Sequence, residues 1–443
     1  MPATEPSLNR QIARLAVPAL GALLAEPVFL LADTAIVGHL GIAPLAGVGI
    51  GSTILLTVVG LSVFLAYGTT SQVSRLLGAG DLRRALSLGM DGIYLAMAIG
   101  LTIALVGIPT AGPLVRAFGS EPAVGHQGTV YLLWSLVGLP GMLVVLATTG
   151  VLRGLQDTRT PLWVAAGGAA LNIVLNLVFV LGFQWGVAGS AIGTSITQTV
   201  MAVVLVVVVV RHARLHGSSL RPDVRGIRGA GASAVPLLIR TVALRIGILA
   251  TTAVAVGKGA AALAGHQVVS TIWNFLALGL DALAIAAQAL TGRALGAGDA
   301  AAVRVITDRM VRWSLVAGAT IGVVILLAHP FIGALFSPDP EVRRAVALGL
   351  IVVGIALPVA GYVFLLDGVL IGAGDGKFLA WSGLVAVAGY LPFAWAVGRW
   401  APDGPVGLLW LWIVYCGVYL MARALAQGLR YRRDDWLVLG GSR

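Results

Sequence analysis

The chain has 443 residues, 58% of them hydrophobic and only 11% charged, with a mean hydropathy of +0.96. That balance excludes a soluble globular protein and indicates a polytopic membrane protein. The net charge of +11 would suit a nucleic-acid binder, but the charges sit in loops between apolar stretches, where membrane orientation explains them and nucleic acid is not an expected partner. The single cysteine, Cys416, can form no intramolecular disulfide and belongs to no metal-ligand cluster, so no metal is expected.

In chain order, a polar lead runs to about Asn9, followed by an apolar stretch too long for a signal-peptide core, read as a retained first helix. Stretches long enough to cross a bilayer, about 20 residues each, fall near 11–38, 43–74, 86–111, 128–152, 161–183 and 186–211. A second set falls near 234–256, 260–292, 309–332, 344–370, 379–398 and 404–428. Continuous apolarity at this length predicts helices, since the strands of a membrane barrel are shorter and alternate in polarity. The expected fold is therefore all-α, with twelve transmembrane helices in two six-helix lobes. An N-terminal lobe covers 1–211 and a flexible interlobe loop 212–233. A C-terminal lobe covers 234–430 and a tail 431–443.

The two halves resemble each other. Sliding residues 16–170 forward by 218 positions superimposes Ala16-Val17-Pro18 on Ala234-Val235-Pro236. It also superimposes Leu77-Gly78-Ala79-Gly80-Asp81 on Leu295-Gly296-Ala297-Gly298-Asp299, and Gly150-Val151-Leu152 on Gly368-Val369-Leu370. An even number of spans separates the copies, so both lie the same way up in the membrane, a plan common among secondary transporters. The repeat-matched residues (Pro18, Gly78, Asp81, Asp157, Trp163) are assigned to fold and loop geometry. With both termini in the cytoplasm, 22 of the 29 lysines and arginines fall on the inside and 5 outside, which sets the orientation in the cell's inner membrane.

Four acids fall within spans: Glu26 and Asp33 in span 1, Asp281 in span 8, Asp367 in span 10. Arg240 and Arg245 join them in span 7. A charge held in the bilayer usually faces a cavity or a partner and marks a functional site. Asp33 is read as a proton carrier, with Glu26 seven residues away on roughly the same helix face and Pro27 beside it as a hinge. Asn172 and Asn176, four residues apart in span 5, either bridge helices or form a polar network with Asp33. Arg240 and Arg245 are read as charge partners of the C-lobe acids. The 218 offset places Thr251 opposite Asp33 and Thr149 opposite Asp367, so the intramembrane charges are not shared by the two halves.

No Walker A loop is present, so ATP is not an expected driver. No potassium filter or arginine-rich voltage sensor appears. The six histidines lie at or near predicted span ends without metal spacing, which argues against an enzyme.

Span 1 and its exit, Glu26-Pro27-Val28-Phe29-Leu30-Leu31-Ala32-Asp33-Thr34-Ala35-Ile36-Val37-Gly38-His39-Leu40-Gly41, resemble the first helix of the MATE (multidrug and toxic compound extrusion) transporters, in particular the DinF branch. The resemblance continues through the Arg-x-Leu-Gly-Ala-Gly-Asp loop, Asn172-Ile173-Val174-Leu175-Asn176 and Leu366-Asp367-Gly368-Val369-Leu370-Ile371-Gly372-Ala373, and covers essentially the whole chain. It implies twelve helices in two lobes around a central cleft, exporting organic compounds, many cationic and amphipathic, in exchange for H+ or Na+. It implies that Asp33 is the coupling acid. The span 5 motif often ends in Asp in this branch, and Asn176 stands in its place here, leaving Glu26 as the other candidate carboxylate. Asp281, Asp367 and Arg240 match polar positions of the C lobe in DinF-like chains.

The expectation is thus a monomeric, multi-pass secondary transporter of small organic molecules. H+ is the coupling ion, with Na+ as second candidate, and there is no other cofactor. The ion-coupling set is Asp33, Glu26, Asn172 and Asn176; the C-lobe polar set is Asp281, Asp367, Arg240 and Arg245. A lipid-linked oligosaccharide flippase is the alternative, disfavoured because only two arginines lie within predicted spans. A major-facilitator carrier shares the span count but lacks its loop signature after span 2.

Overall fold

The computed structural model of the chain describes residues 7–441. Among them are twelve helices long and apolar enough to span a bilayer, and no strand. They are α1 (Leu8–Gly38), α2 (Ile42–Gly78), α3 (Leu82–Arg116), α4 (Pro122–Gly154), α5 (Arg159–Gly182) and α6 (Gly186–Leu215). The second six are α7 (Val224–Gly257), α8 (Ala260–Gly296), α9 (Ala300–Phe336), α10 (Pro340–Gly372), α11 (Gly376–Trp400) and α12 (Pro405–Arg432). In lipid every backbone N–H and C=O must be satisfied within its own segment, which is why these runs are helical. Three helices are irregular. α2 breaks at Ser62 and Val63, the end of α5 is a π-helix over Leu177–Gly182, and α12 is a π-helix over Tyr415–Leu420.

The chain divides into two compact units, Arg14–Ala234 and Val235–Gly441, here called the N lobe and the C lobe, with the described residues 7–13 grouped with the second. The first helical turns therefore leave the lobe that the sequence assigned them to; Arg309 reaches Asn9 at 3.5 Å.

The repeated loops have a common physical cause. After α2 and after α8 the chain turns through Gly80 (φ 80°) and Gly298 (φ 76°), a left-handed conformation that favours glycine. The N–H of the following aspartate returns to the helix, Asp81 to the Leu76 carbonyl (3.0 Å) and Asp299 to that of Ala294 (3.2 Å). Each aspartate then caps the next helix, accepting from Arg84 N–H at 2.9 Å and Ala302 N–H at 2.8 Å. Helix contact repeats as well. A Cβ on Gly150 of α4 would lie 2.4 Å from the Ala66 carbonyl oxygen, and one on Gly368 of α10 would lie 2.3 Å from that of Ala284. Small residues at these crossings let backbones touch, which is how helices associate where lipid removes the hydrophobic drive.

Three sequence expectations change. The segment 212–233 is not one flexible loop: α6 continues to Leu215, α7 begins at Val224, and the residues between are hydrogen-bonded to α3. Asp91, placed among the loop acids, lies inside α3 and is buried. Arg423, counted with the charges on the inside rather than within a span, lies inside α12 and is 7% exposed. Hydropathy windows lose such groups because one polar side chain hardly moves the average of an apolar run. The tail expected from 431 is ordered as far as it is described: Trp436 is fully buried and Gly440 N–H donates to the Leu295 carbonyl at 2.9 Å.

Candidate functional site

In the N lobe three helices contribute to one polar ladder. α1 supplies Asp33, α5 supplies Asn172 and Asn176, and α6 supplies Ser190 and Thr194; all five are buried. Spacing of four residues on α5 and again on α6 puts each pair on one helix face. Asp33 Oδ1 accepts from Asn176 Nδ2 at 2.7 Å and from Ser190 Oγ at 2.5 Å. The second proton of the Asn176 amide goes to Asn172 Oδ1 at 3.1 Å, and Asn172 Nδ2 donates to Thr194 Oγ1 at 3.0 Å. Asn176 thus spends both donors, while its carbonyl oxygen is buried without a partner. Gly193 makes room for that amide, since a Cβ there would stand 2.7 Å from Asn176 Oδ1. Val37, Val48, Tyr131, Val187 and Ala191 form an apolar cluster, in which Val37 lies one turn from Asp33 and Val187 and Ala191 flank Ser190 in sequence.

The ladder ends at a cavity of about 210 Å³ within the same lobe. Asn172 and Thr194 line it; so do Glu26, Tyr131, Thr197, Gln198 and Arg153 among mostly apolar walls. Glu26 is exposed and, among the described residues, makes no hydrogen bond to Asp33. The two acids of α1 therefore do different things: one anchors the ladder, the other faces open space. Pro27 cannot donate to the carbonyl of Leu23, which also lines the cavity. Pro18 likewise frees the Arg14 carbonyl, which accepts from Thr158 Oγ1 at 3.4 Å. α1 nevertheless runs unbroken from Leu8 to Gly38.

The C lobe holds a second buried carboxylate. Asp367 Oδ2 accepts from Arg240 Nη2 at 2.5 Å and from Arg423 Nη2, and its Oδ1 accepts from Gln427 Nε2 at 2.6 Å. All four residues are at most 9% exposed. Arg240 is thus the charge partner expected of it. Arg245 is not: it is exposed and makes no ion pair among the described residues, because it lies five positions on and so on another face of α7. Asp281 is half-buried on α8. Ser190, Thr194, Arg423 and Gln427 were not anticipated. The four-residue spacing of Ser190 with Thr194, and of Arg423 with Gln427, was the available signal. Among the histidines, His266 is buried inside α8 beside Thr252 (3.1 Å). Among the described residues no cluster of three or more His, Cys, Asp or Glu is arranged to hold a metal ion.

The sequence model of the MatE family matches the chain twice, over residues 18–178 and 236–395. The chain is 30% identical over 437 residues to Protein DETOXIFICATION 44, chloroplastic, of Arabidopsis thaliana, covering 96% of this chain and 83% of that protein. It is 29% identical over 438 residues to DNA damage-inducible protein F of Escherichia coli strain K12, covering 96% and 93% respectively. A mutant of the Vibrio cholerae MATE transporter VcmN superimposes with a TM-score of 0.88 over 97% of this chain and 98% of that one; at 24% identity this likeness speaks for the fold. Two family matches spanning most of both lobes, and a relative 30% identical along nearly the whole chain, lead to one conclusion: this chain belongs to the MatE family of multidrug and toxic compound extrusion transporters.

Proposed function

We propose that the protein exports organic compounds, many of them cationic and amphipathic, by antiport with H+, with Na+ as second candidate, through alternating access. Both termini lie in the cytoplasm, the bilayer is the inner membrane, and ATP plays no part. The observation that carries this reading is the continuous ladder from Asp33 through Asn176 and Asn172 to Thr194 at the cavity wall.

With Asp33 ionised, its Oδ1 takes both Asn176 Nδ2 and Ser190 Oγ. H+ from outside converts the carboxylate to an acid that must donate. The orphaned Asn176 Oδ1 is the acceptor at hand, and half a turn of the Asn176 amide presents it. That turn withdraws Nδ2 from Asn172 and loosens the Asn172–Thr194 pair lining the cavity. α1, short of a backbone donor at Pro27, bends there and changes the cavity's shape. Substrate affinity falls and release follows. Coupling arises because proton and substrate favour different states of one cavity. Glu26 offers a cationic substrate a charge partner among apolar walls. The flippase alternative draws no support from the arginines, since Arg240 is bound to Asp367 and Arg245 lies apart from that network.

The test is reconstitution in liposomes with separate H+ and Na+ gradients, following ethidium movement. Wild-type protein should move the dye under the H+ gradient, and folded Asp33→Asn should not. Normal transport against a gradient by Asp33→Asn would overturn the reading.

A further inference from the structure

The segment joining the lobes is tied down along one face of α3. Ser87 Oγ accepts from Ser219 N–H at 3.2 Å, Tyr94 donates its hydroxyl to the Leu220 carbonyl at 2.8 Å, and Asp91 Oδ1 accepts from Asp223 N–H at 2.9 Å. Gly226 lies so close that a Cβ there would come within 2.0 Å of Asp91 Oδ2. Ser87, Asp91 and Tyr94 are one helical turn apart in succession, so α3 presents a row of anchors. The anchored strap and the helix ends beside it turn their cations outward. Arg211, Arg214, Arg221, Arg225 and Arg228 are all exposed, and among the described residues none makes an ion pair. Arg83 and Arg84, one turn before Ser87, are exposed too. The one acid in the strap, Asp223, accepts from the backbone N–H of Arg225. Leu215 (81% exposed) and Val224 (62%) flank the strap at its two ends.

Scattered cations would satisfy membrane orientation alone. Here they are concentrated on a pinned element and on the two helix ends it joins, with two bare apolar side chains among them. We propose that this strap is a docking surface for the headgroups of anionic phospholipids. The arginines pair with headgroup phosphates while Leu215 and Val224 enter the acyl boundary. The strap then ties the N lobe to the charged leaflet. This rests on the cytoplasmic orientation proposed above but not on the transport reading, and the assay below measures lipid rather than transport.

The test is native mass spectrometry of the full chain released from micelles containing equal phosphatidylglycerol and phosphatidylcholine. Wild type should retain phosphatidylglycerol preferentially, each arginine contributing up to about fivefold. Arg221→Gln/Arg225→Gln/Arg228→Gln should lose most of that preference. Arg116→Gln/Arg344→Gln/Arg399→Gln, which removes three exposed arginines elsewhere, should keep it. Ser87→Ala/Tyr94→Phe, which loosens the strap without altering charge, should weaken it. An unchanged preference in the strap triple variant would overturn the proposal. So would an equal loss in the control triple, or displacement of the lipid by millimolar inorganic phosphate, which would assign the patch to soluble anions.

Discussion

Each lobe buries one of the intramembrane carboxylates read from the sequence, Asp33 and Asp367, and the two are held in opposite ways. Asp33 is bound by neutral donors, a serine hydroxyl and an asparagine amide, and next to it an amide oxygen lacks a partner. Asp367 is bound at Oδ2 by two guanidinium groups, which can only donate, and at Oδ1 by the Gln427 amide, so what separates it from Asp33 is the pair of buried cations. A carboxyl among dipoles can gain a proton if one amide reorients. A carboxylate between two buried arginines cannot be neutralised without leaving two cations uncompensated. On the proposed reading, similar scaffolds carry an exchangeable acid in one lobe and an ion-paired one in the other.

The largest expected effect falls on transport. Asp33→Asn should lower gradient-driven ethidium efflux by about tenfold or more, while its melting temperature stays near wild type, because asparagine keeps the shape and hydrogen-bonding reach of the acid. Asp367→Asn should do the reverse, costing about 3–5 kcal/mol of stability, visible as a large drop in thermal unfolding temperature. Replacing Asp367, Arg240 and Arg423 together with apolar residues of similar size should restore much of that loss. A full recovery of transport as well would mark the C-lobe cluster as purely structural.

Smaller effects test whether the lobes share a frame despite their different chemistry. Gly150→Ala and Gly368→Ala each drive a methyl against a carbonyl oxygen of the neighbouring helix. Each should cost about 1–3 kcal/mol, and similar losses in thermal unfolding would support equivalent helix contacts. The smallest change is at Gln156, which adopts φ 65° where the other lobe has Gly374 at φ 73°. Gln156→Gly should stabilise by about 1 kcal/mol or less, read in the same unfolding assay.

The twelve spans and the place of Asp33 in a buried polar network were legible because long apolar runs and intramembrane acids are conspicuous. Asn172 and Asn176 were legible through their spacing. Ser190 and Thr194 were not, since hydroxyl residues occur throughout membrane helices and commonly bond their own backbone, as Thr53 and Thr57 do here. Arg423 was lost for another reason: near the end of an apolar run, an arginine buried against Asp367 and one snorkelling to the surface look the same in sequence. Arg245 shows the converse, a charge that sequence places within a span and structure leaves exposed. Tying the interlobe segment to Asp91 depended on contacts across more than a hundred residues.

The most direct measurement is proton release on adding ethidium to purified, weakly buffered protein. Wild type should release protons as substrate binds, folded Asp33→Asn should release none, and the variant with Asp367, Arg240 and Arg423 all made apolar should release as wild type does. Undiminished release from Asp33→Asn, or its loss in the folded C-lobe variant, would contradict the assignment of the exchangeable carboxyl to the N lobe.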